Sequence, residues 1–516
     1  MKENIQNKYD SFQSEIANSK KSHHSYIGSV LDIGLTPEYN VGEVMLAALY
    51  RQVGWQHNST GKWSRFSESK VNTESTRFFN ELHTKRQKDK ESILSQDDWA
   101  HLLYHGLASP KMSKQSKSKK PILYPLVPDC ALYANAARLR GNPWNPGNLL
   151  EQLVLNGCES TAESETLWSN LFDKLGADSF GQGEDFWACL VSEQFSNCRS
   201  EDVRWSLNKL SRKRPEIGKE LYNSSPAKMF ASDLQSVLDL KAKLTRRQWL
   251  ATLESLVRIG SVSHVLWLCT LNYKIWAYLK KCLLASDSKE LELDTSILKE
   301  SSALWKLDEH GNRSAKSIIR HYLHGRVALN TLLFEYSLLS DSDVSLNSLE
   351  DVQKFGSEIF KLKEAGKLLP SKILERVQSL LDADPAIIAC KKGVSKNIFE
   401  FVRHTIGQKN TANPAKRSYD QSYWMRKKGN YSAAPWIIDL GPTSILTMVY
   451  CCSHGYDQNR TVQDLFRHIG KYGLIVDLQD LQETSLLDSL RTLQIVVDSP
   501  DAEGGMIIIN PFSQTN

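Results

Sequence analysis

The sequence predicts a mainly α fold: an irregular multi-helix body that closes in a small unit of short helices and a β-hairpin. Apolar residues recur at helical spacing through most of the 516 residues. Strand-like runs of β-branched residues bounded by turn signals stand out only from Trp436 onward. With 41% hydrophobic and 24% charged residues the chain has an ordinary globular balance, and its length suits roughly two to four domains with a sizeable core.

Residues 1–27 are polar and rich in Lys and Ser, so they are expected to form a flexible N-terminal arm. A first apolar block spans Val30 to Trp55, and Ser95-Gln-Asp-Asp opens a helix carrying Trp99, Leu102, Leu103 and Leu107. Lys111 to Lys120 holds five lysines and no acid, an exposed loop that ends an N-terminal helical region at 28–121. Prolines at 121, 125, 128, 143 and 146 make the next stretch largely irregular until Gly147. A central helical domain is expected over 122–402, with helices near 162–175, 183–195, 200–211, 226–243, 245–259, 262–285, 312–340, 346–366 and 370–383. The pair 245–259 and 262–285 reads as an αα-hairpin. Trp249, Leu253, Leu256 and Ile259 would face Leu268, Leu271, Ile275 and Leu279 across a break at Gly260-Ser261. No repeat of fixed period is visible, which favours a single irregular helical domain over an α-solenoid.

The C-terminal unit is legible element by element. Trp436-Ile-Ile-Asp gives a short strand. Gly441-Pro442 then places proline where a helix tolerates it, ahead of the apolar stripe Ile445, Met448, Val449 and Cys452. A second helix opens at Thr461, with Asp464 as its capping-box partner, and stops at Gly473. A third follows Asp480, with Glu483 in its first turn and Leu486, Leu487, Leu490 and Leu493 facing inward. Ile495-Val-Val and Met506-Ile-Ile-Ile form a hairpin around the turn-rich run Asp498 to Gly505. This order, three helices and then a hairpin, is that of a winged-helix domain, expected over 435–516.

Charge and cysteine usage bound the class further. The net charge is only +5, so affinity for nucleic acid has to come from local patches. Nine cysteines without framework spacing and a polar N-terminus point to a reducing cytoplasm. The most apolar helical stretch, His264 to Leu284, is broken by Asn272, Lys274, Lys280 and Lys281, so no membrane partner is expected.

Local catalytic signatures are missing. Gly61-Lys62 is followed by Trp63, and Gly54 lies too far back for a Walker A loop. GxGxxG, GxSxG, HExxH and CxxC do not occur, so no cofactor is expected. His101 and His105, and His321 and His324, have helical spacing that can present two nitrogens to a metal, but no third ligand stands at a recognisable offset. Cys451-Cys452 continues a core stripe, a packing role rather than redox chemistry. Of the carboxylate-lysine pairings a nuclease would use, Pro128-Asp129 has no partner, Pro500-Asp501 lies in the wing, and Glu358 with Lys361 sits on a helix.

The strongest binding signal precedes the winged helix, in a basic aromatic linker at 403–434. Arg403, Lys409, Lys416, Arg417, Arg426, Lys427 and Lys428 stand against a single acid, Asp420, and are interleaved with Tyr419, Tyr423, Trp424 and Tyr431. Cations neutralise phosphates and aromatic rings stack on exposed bases, so Arg403, Lys409, Lys416, Arg417, Tyr423, Trp424, Arg426, Lys427 and Lys428 are the candidate nucleic-acid contacts. The winged helix has the opposite sign. Asp477, Asp480, Glu483, Asp488, Asp498, Asp501 and Glu503 face only Arg491, and such a recognition helix and wing would be repelled by phosphate. The module is therefore expected to dock protein, or to meet DNA through Arg467, His468 and Lys471 of its second helix. The runs Lys209 to Pro215 and Lys241 to Arg247 read as solvated helix ends.

The segments Tyr419 to Gly429, Ala434 to Pro442 and Leu493 to Gly505 together resemble the tail of large proteins from bacterial multi-gene antiphage defence loci. The resemblance covers roughly the last hundred residues. It implies a cytoplasmic subunit working beside separate ATPase, helicase, nuclease or methyltransferase partners, and it carries over no catalytic residue. The expected function is a non-enzymatic, DNA-associated or scaffolding subunit. The alternatives are a metal-dependent nuclease assembled from distant residues such as His321 and His324, and a transcription regulator, which the acidic third helix disfavours.

Overall fold

A computed structural model of the chain describes residues 41–57, 107–109, 122–133, 146–176, 185–196, 203–212, 214, 218–294, 302–340, 344, 346–408, 419–429, 431, 433–456, 460–476, 484–497 and 506–512. The expected N-terminal arm, the helix after Ser95, the lysine loop at 111–120, His101 and His105, and Lys409, Lys416 and Arg417 lie outside these residues. The protein is mainly helical, with short strands.

The first helix, α1 (Gly42–Gly54), runs into strand β1 (Trp55–His57). Strands β2 (Ala108–Ser109) and β3 (Ile122–Leu123) pair antiparallel ahead of a short helix α2 (Pro128–Tyr133). Helix α3 (Pro146–Gly157) starts where the proline-rich stretch ends. Helix α4 (Thr161–Leu175) is capped by Ser160, whose side chain accepts from Glu163 N–H. Helix α5 (Phe186–Ser196) follows. The helix expected over 200–211 is instead strand β4 (Val203–Trp205) and an extended run; β4 pairs antiparallel with β1. Tertiary context outweighs propensity here: Trp205 stacks on Phe172 at 5.1 Å and meets Trp55 edge-on at 5.3 Å. The Asn208 amide then donates to the carbonyls of Gln52 and Trp55 at the end of α1.

Helices α6 (Lys219–Ser224) and α7 (Pro226–Leu240) lead to α8 (Arg246–Leu284), the axis of the molecule. A capping box between Thr245 and Gln248 starts α8, and every residue from Thr252 to Cys269 is buried. A helix apolar all round belongs in a core. The expected αα-hairpin is therefore corrected to one helix of 39 residues, roughly 58 Å long at 1.5 Å per residue. Gly260 is not a break. It sits where α7 crosses, and a Cβ there would run into the ring of Phe230. Glycine in a helix costs about 1 kcal/mol relative to alanine. The eight large residues expected to face one another across a hairpin are each 2% exposed or less, at about 1.5–3 kcal/mol apiece, and outweigh that cost. Of the neighbouring cations Lys243 and Arg247 are exposed, as expected, but Arg246 is buried, donating to the carbonyls of Leu126 and Gly176 and to the Tyr50 hydroxyl.

Strand β5 (Trp305–Lys306) precedes α9 (Gly311–Ser337), which lies along α8. Their close approach needs Gly325, where a Cβ would stand 2.8 Å from the Tyr273 Cα. Helices α10 (Leu349–Glu364) and α11 (Pro370–Asp382) match the expected spans. Two further helices, α12 (Pro385–Ile388) and α13 (Gly393–Ile406), were not foreseen; the place assigned to the start of the linker, Arg403, lies inside α13.

In the last part of the chain, strand β6 (Met425–Lys427) pairs antiparallel with β7 (Trp436–Ile438). Then come α14 (Pro442–Ser453), β8 (Arg460–Thr461), α15 (Val462–Gly470), β9 (Leu474–Ile475), α16 (Ser485–Thr492), β10 (Val496–Val497) and β11 (Ile507–Ile508). The expected caps form: Thr461 and Asp464 make the capping box of α15, whereas α16 is capped by Thr484. Strands β10, β11 and β8 make an antiparallel sheet with β11 in the middle. The unit is fused to the body. Helix α14 packs on α7 and α8, β9 pairs in parallel with β5, and a single hydrophobic cluster runs from α1 to β11. Asp233 of α7, 1% exposed, accepts from the Tyr472 hydroxyl at 2.7 Å and contacts His468 Nε2 at 2.9 Å. Among the described residues no helix is long and apolar enough to cross a membrane.

Candidate nucleic-acid interface

Three stretches distant in sequence meet at the head of α9. The β6–β7 ladder sets Lys427 opposite Trp436, with the Lys427 Nζ 5.8 Å from the indole centroid. Lys428 N–H donates to the Pro435 carbonyl, and Gly429 takes φ +125° to leave the strand. The ladder is held to α9 by backbone bonds: Ile438 N–H to Glu309 O at 3.0 Å, and Asp308 N–H to Ile438 O at 2.9 Å. Helix α9 therefore begins beside the ladder and carries Arg313, Lys316 and Arg320 at i, i+3 and i+7, on one face.

Between this face and the 433–436 turn lies an opening of about 570 Å³, lined among others by His310, Arg313, Lys316, Arg320, Pro435 and Trp436. Helix α13 packs against α9 nearby. Its Phe399 ring has Lys316 Nζ at 4.9 Å and the Arg403 guanidinium at 5.7 Å, so Arg403 joins the α9 row through a shared aromatic. Among the described residues no carboxylate lies within ion-pairing distance of Arg313, Lys316, Arg320, Arg403 or Lys428. The single acid of the basic segment does not offset them. Asp420 is buried and takes both Arg258 terminal nitrogens, at 2.8 and 3.1 Å.

Arg258 also donates to the carbonyls of Thr405 and Gly407, and so fastens both ends of the stretch 405–420 to α8. Burial alone would lower the pKa of its guanidinium, but Asp420, Glu254 and Glu43 more than reverse this, and the value is raised. Arg258 stays a cation.

The predicted contacts separate into two groups. Arg403, Lys427 and Lys428 do not line the opening but neighbour residues that do: Arg403 shares the Phe399 ring with Lys316, Lys427 lies over Trp436, and Lys428 N–H bonds to Pro435. Trp424 is packed inward: it is 1% exposed, its Nε1 donates to Ser255 of α8, and no ring face is left for a base. The expectation of base stacking at Trp424 is corrected on that ground; serine on α8 leaves the slot the indole fills. Tyr423 lies against Gly441, and burial pushes its phenol up to about 12. Arg426 is engaged by Asp439. His310, Arg313, Lys316 and Arg320 were not singled out from sequence, although three cations at helical spacing were a signal that could have found them.

The other described sequence candidates have partners within the fold. His321 stacks on Tyr273 at 4.7 Å, and His324 has its pKa lowered by burial and then by Lys280 and His321. Among the described residues no three His, Cys, Asp or Glu side chains are grouped to hold a metal. Glu358 accepts from the Tyr336 hydroxyl at 2.6 Å. On α15, Arg467 pairs with Asp464 and His468 with Asp233, which turns the histidine toward the body. Cys451 and Cys452 are buried, and burial pushes the Cys452 thiol up to about 12, far from a thiolate at neutral pH.

No protein-family model matches this chain, and no curated protein matches it.

Proposed function

We propose that the chain binds nucleic acid by its phosphate backbone at the opening between α9 and the β6–β7 turn, as a non-enzymatic DNA-associated or scaffolding subunit. One observation carries this reading. Arg313, Lys316 and Arg320 line one groove, with Arg403, Lys427 and Lys428 adjoining it through Phe399, Trp436 and Pro435, and no carboxylate lies within ion-pairing distance of the α9 row among the described residues. Partly exposed cations around a concavity release phosphate counterions on binding, a large source of backbone affinity.

The C-terminal unit is read as a winged helix on its chain order of α14, α15, α16 and hairpin, with β11 between β8 and β10. Its role is to receive a protein partner rather than a duplex. The face of α15 with His468 is spent on Asp233, and the sheet exposes Val497 and Ile509. The setting, a cytoplasmic bacterial antiphage defence complex with an ATPase, helicase or nuclease partner, rests on the resemblance of the last hundred or so residues.

The test is fluorescence anisotropy with labelled DNA across a salt series. Substituting Arg313, Lys316 and Arg320 together with alanine is expected to weaken binding and to lower the slope of log K against log salt by about 1 per lost contact. Identical curves for variant and wild type reject the reading.

A further inference from the structure

We infer that the groove takes an unpaired strand and seats one base against the indole of Trp436. This inference rests on the phosphate-binding reading above and adds which form of nucleic acid is bound.

The opening, about 570 Å³, has the size of a small-ligand pocket, roughly 300–1,000 Å³, and is concave. A duplex offers a convex phosphate ridge with its bases stacked inside, so only an unpaired nucleotide can enter such a space. The walls differ in chemistry. Arg313, Lys316 and Arg320 line the α9 side, spaced by about 4.5 and 6 Å along the axis at 1.5 Å per residue, and track a backbone. The other side ends in Trp436, half-buried and held in place by its ladder partner Lys427. Gly407 lies against its ring edge, where a Cβ would stand 3.2 Å from the indole Cζ3. A partly exposed ring lining the same opening as a cation row is the arrangement that binds single strands by stacking and charge together.

A polar group waits in the same wall. Asn312 lines the opening, and its buried Oδ1 has no hydrogen-bond partner. The Watson–Crick edge of every unpaired base carries an N–H donor, the amino group of cytosine, adenine or guanine or the N3–H of thymine, so this acceptor can bond a base without selecting one.

The experiment compares anisotropy of a labelled mixed-sequence single strand with that of a hairpin duplex of equal length, using the full chain. The wild type is expected to prefer the single strand. Trp436→Leu should lower single-strand affinity by about tenfold and leave duplex affinity unchanged, while Trp436→Phe retains most of it. Equal affinity of the wild type for both probes overturns the inference, as does single-strand binding by Trp436→Leu at wild-type strength. Loss of single-strand binding in Trp436→Phe as complete as in Trp436→Leu also overturns it, because a phenyl ring still stacks. Failure of the phosphate-binding reading shows differently: substitution of Arg313, Lys316 and Arg320 then changes neither probe.

Discussion

His264 is the residue with the clearest stability signature. It is fully buried in the middle of α8, beside Trp267, and neither ring nitrogen has a hydrogen-bond partner. Burial lowers its pKa from 6.5 to about 4. The folded value lies below the unfolded one, so below pH 6.5 the unfolded chain takes up a proton that the native state refuses. Stability is full above that pH and is lost as pH falls toward 4, by about 2 kcal/mol between pH 7 and 5. His264→Leu should remove this slope, and urea midpoints at the two pH values check it; parallel slopes for variant and wild type would count against the assignment. Arg258 is a separate case. Arg258→Met removes the guanidinium that neutralises buried Asp420, and the expected loss is about 3–5 kcal/mol by urea unfolding. A loss under about 1 kcal/mol would mean the bridge carries nothing.

At the level of elements, Gly260 shows why a helix can be misread. In an isolated helix Gly260→Ala would gain about 1 kcal/mol. Here the added methyl meets the Phe230 ring, and the expected result is a net loss of about 1–3 kcal/mol, relieved in the double variant with Phe230→Leu. A thermal midpoint raised by Gly260→Ala alone would show that the crossing has room. Elements whose signals are local were legible in the sequence: α4 and α11 within a residue or so of their expected ends, the capping box at Thr461, and the hairpin of β10 with β11. What was missed depended on distant partners. Nothing near residue 260 announces Phe230, nothing near Trp205 announces Phe172, and nothing near Trp424 announces the space above Ser255. For the candidate site, half of the cation set was visible as a basic run, whereas the α9 half was hidden in a helix read only for its apolar positions.

For the whole molecule, the C-terminal unit and the body share one interior. Helix α14 is buried on several sides: Ile445, Met448, Val449 and Tyr450 are each 2% exposed or less, and Ser444 bonds to Ser255 of α8. A chain cut before Pro442 would strip α7 and α8 of a packing partner and is expected to lose its cooperative thermal transition by circular dichroism. A sharp melt near the wild-type midpoint would show that the body stands alone. Residues 304–310 have a mechanical consequence. The amides of Leu304 and Trp305 bond to Gly473 and that of Leu307 to Ile475, while Asp308 bonds to Ile438 and accepts from Ser485 N–H. The next turn is the head of α9 with its cations. This segment is thus a tie rod, clamped at one end to the C-terminal unit and at the other to the wall of the groove. A pull on that unit is delivered to Arg313 and Lys316 with little slack, and proton exchange at the amides of Leu304, Leu307 and Asp308 would gauge the load from either end.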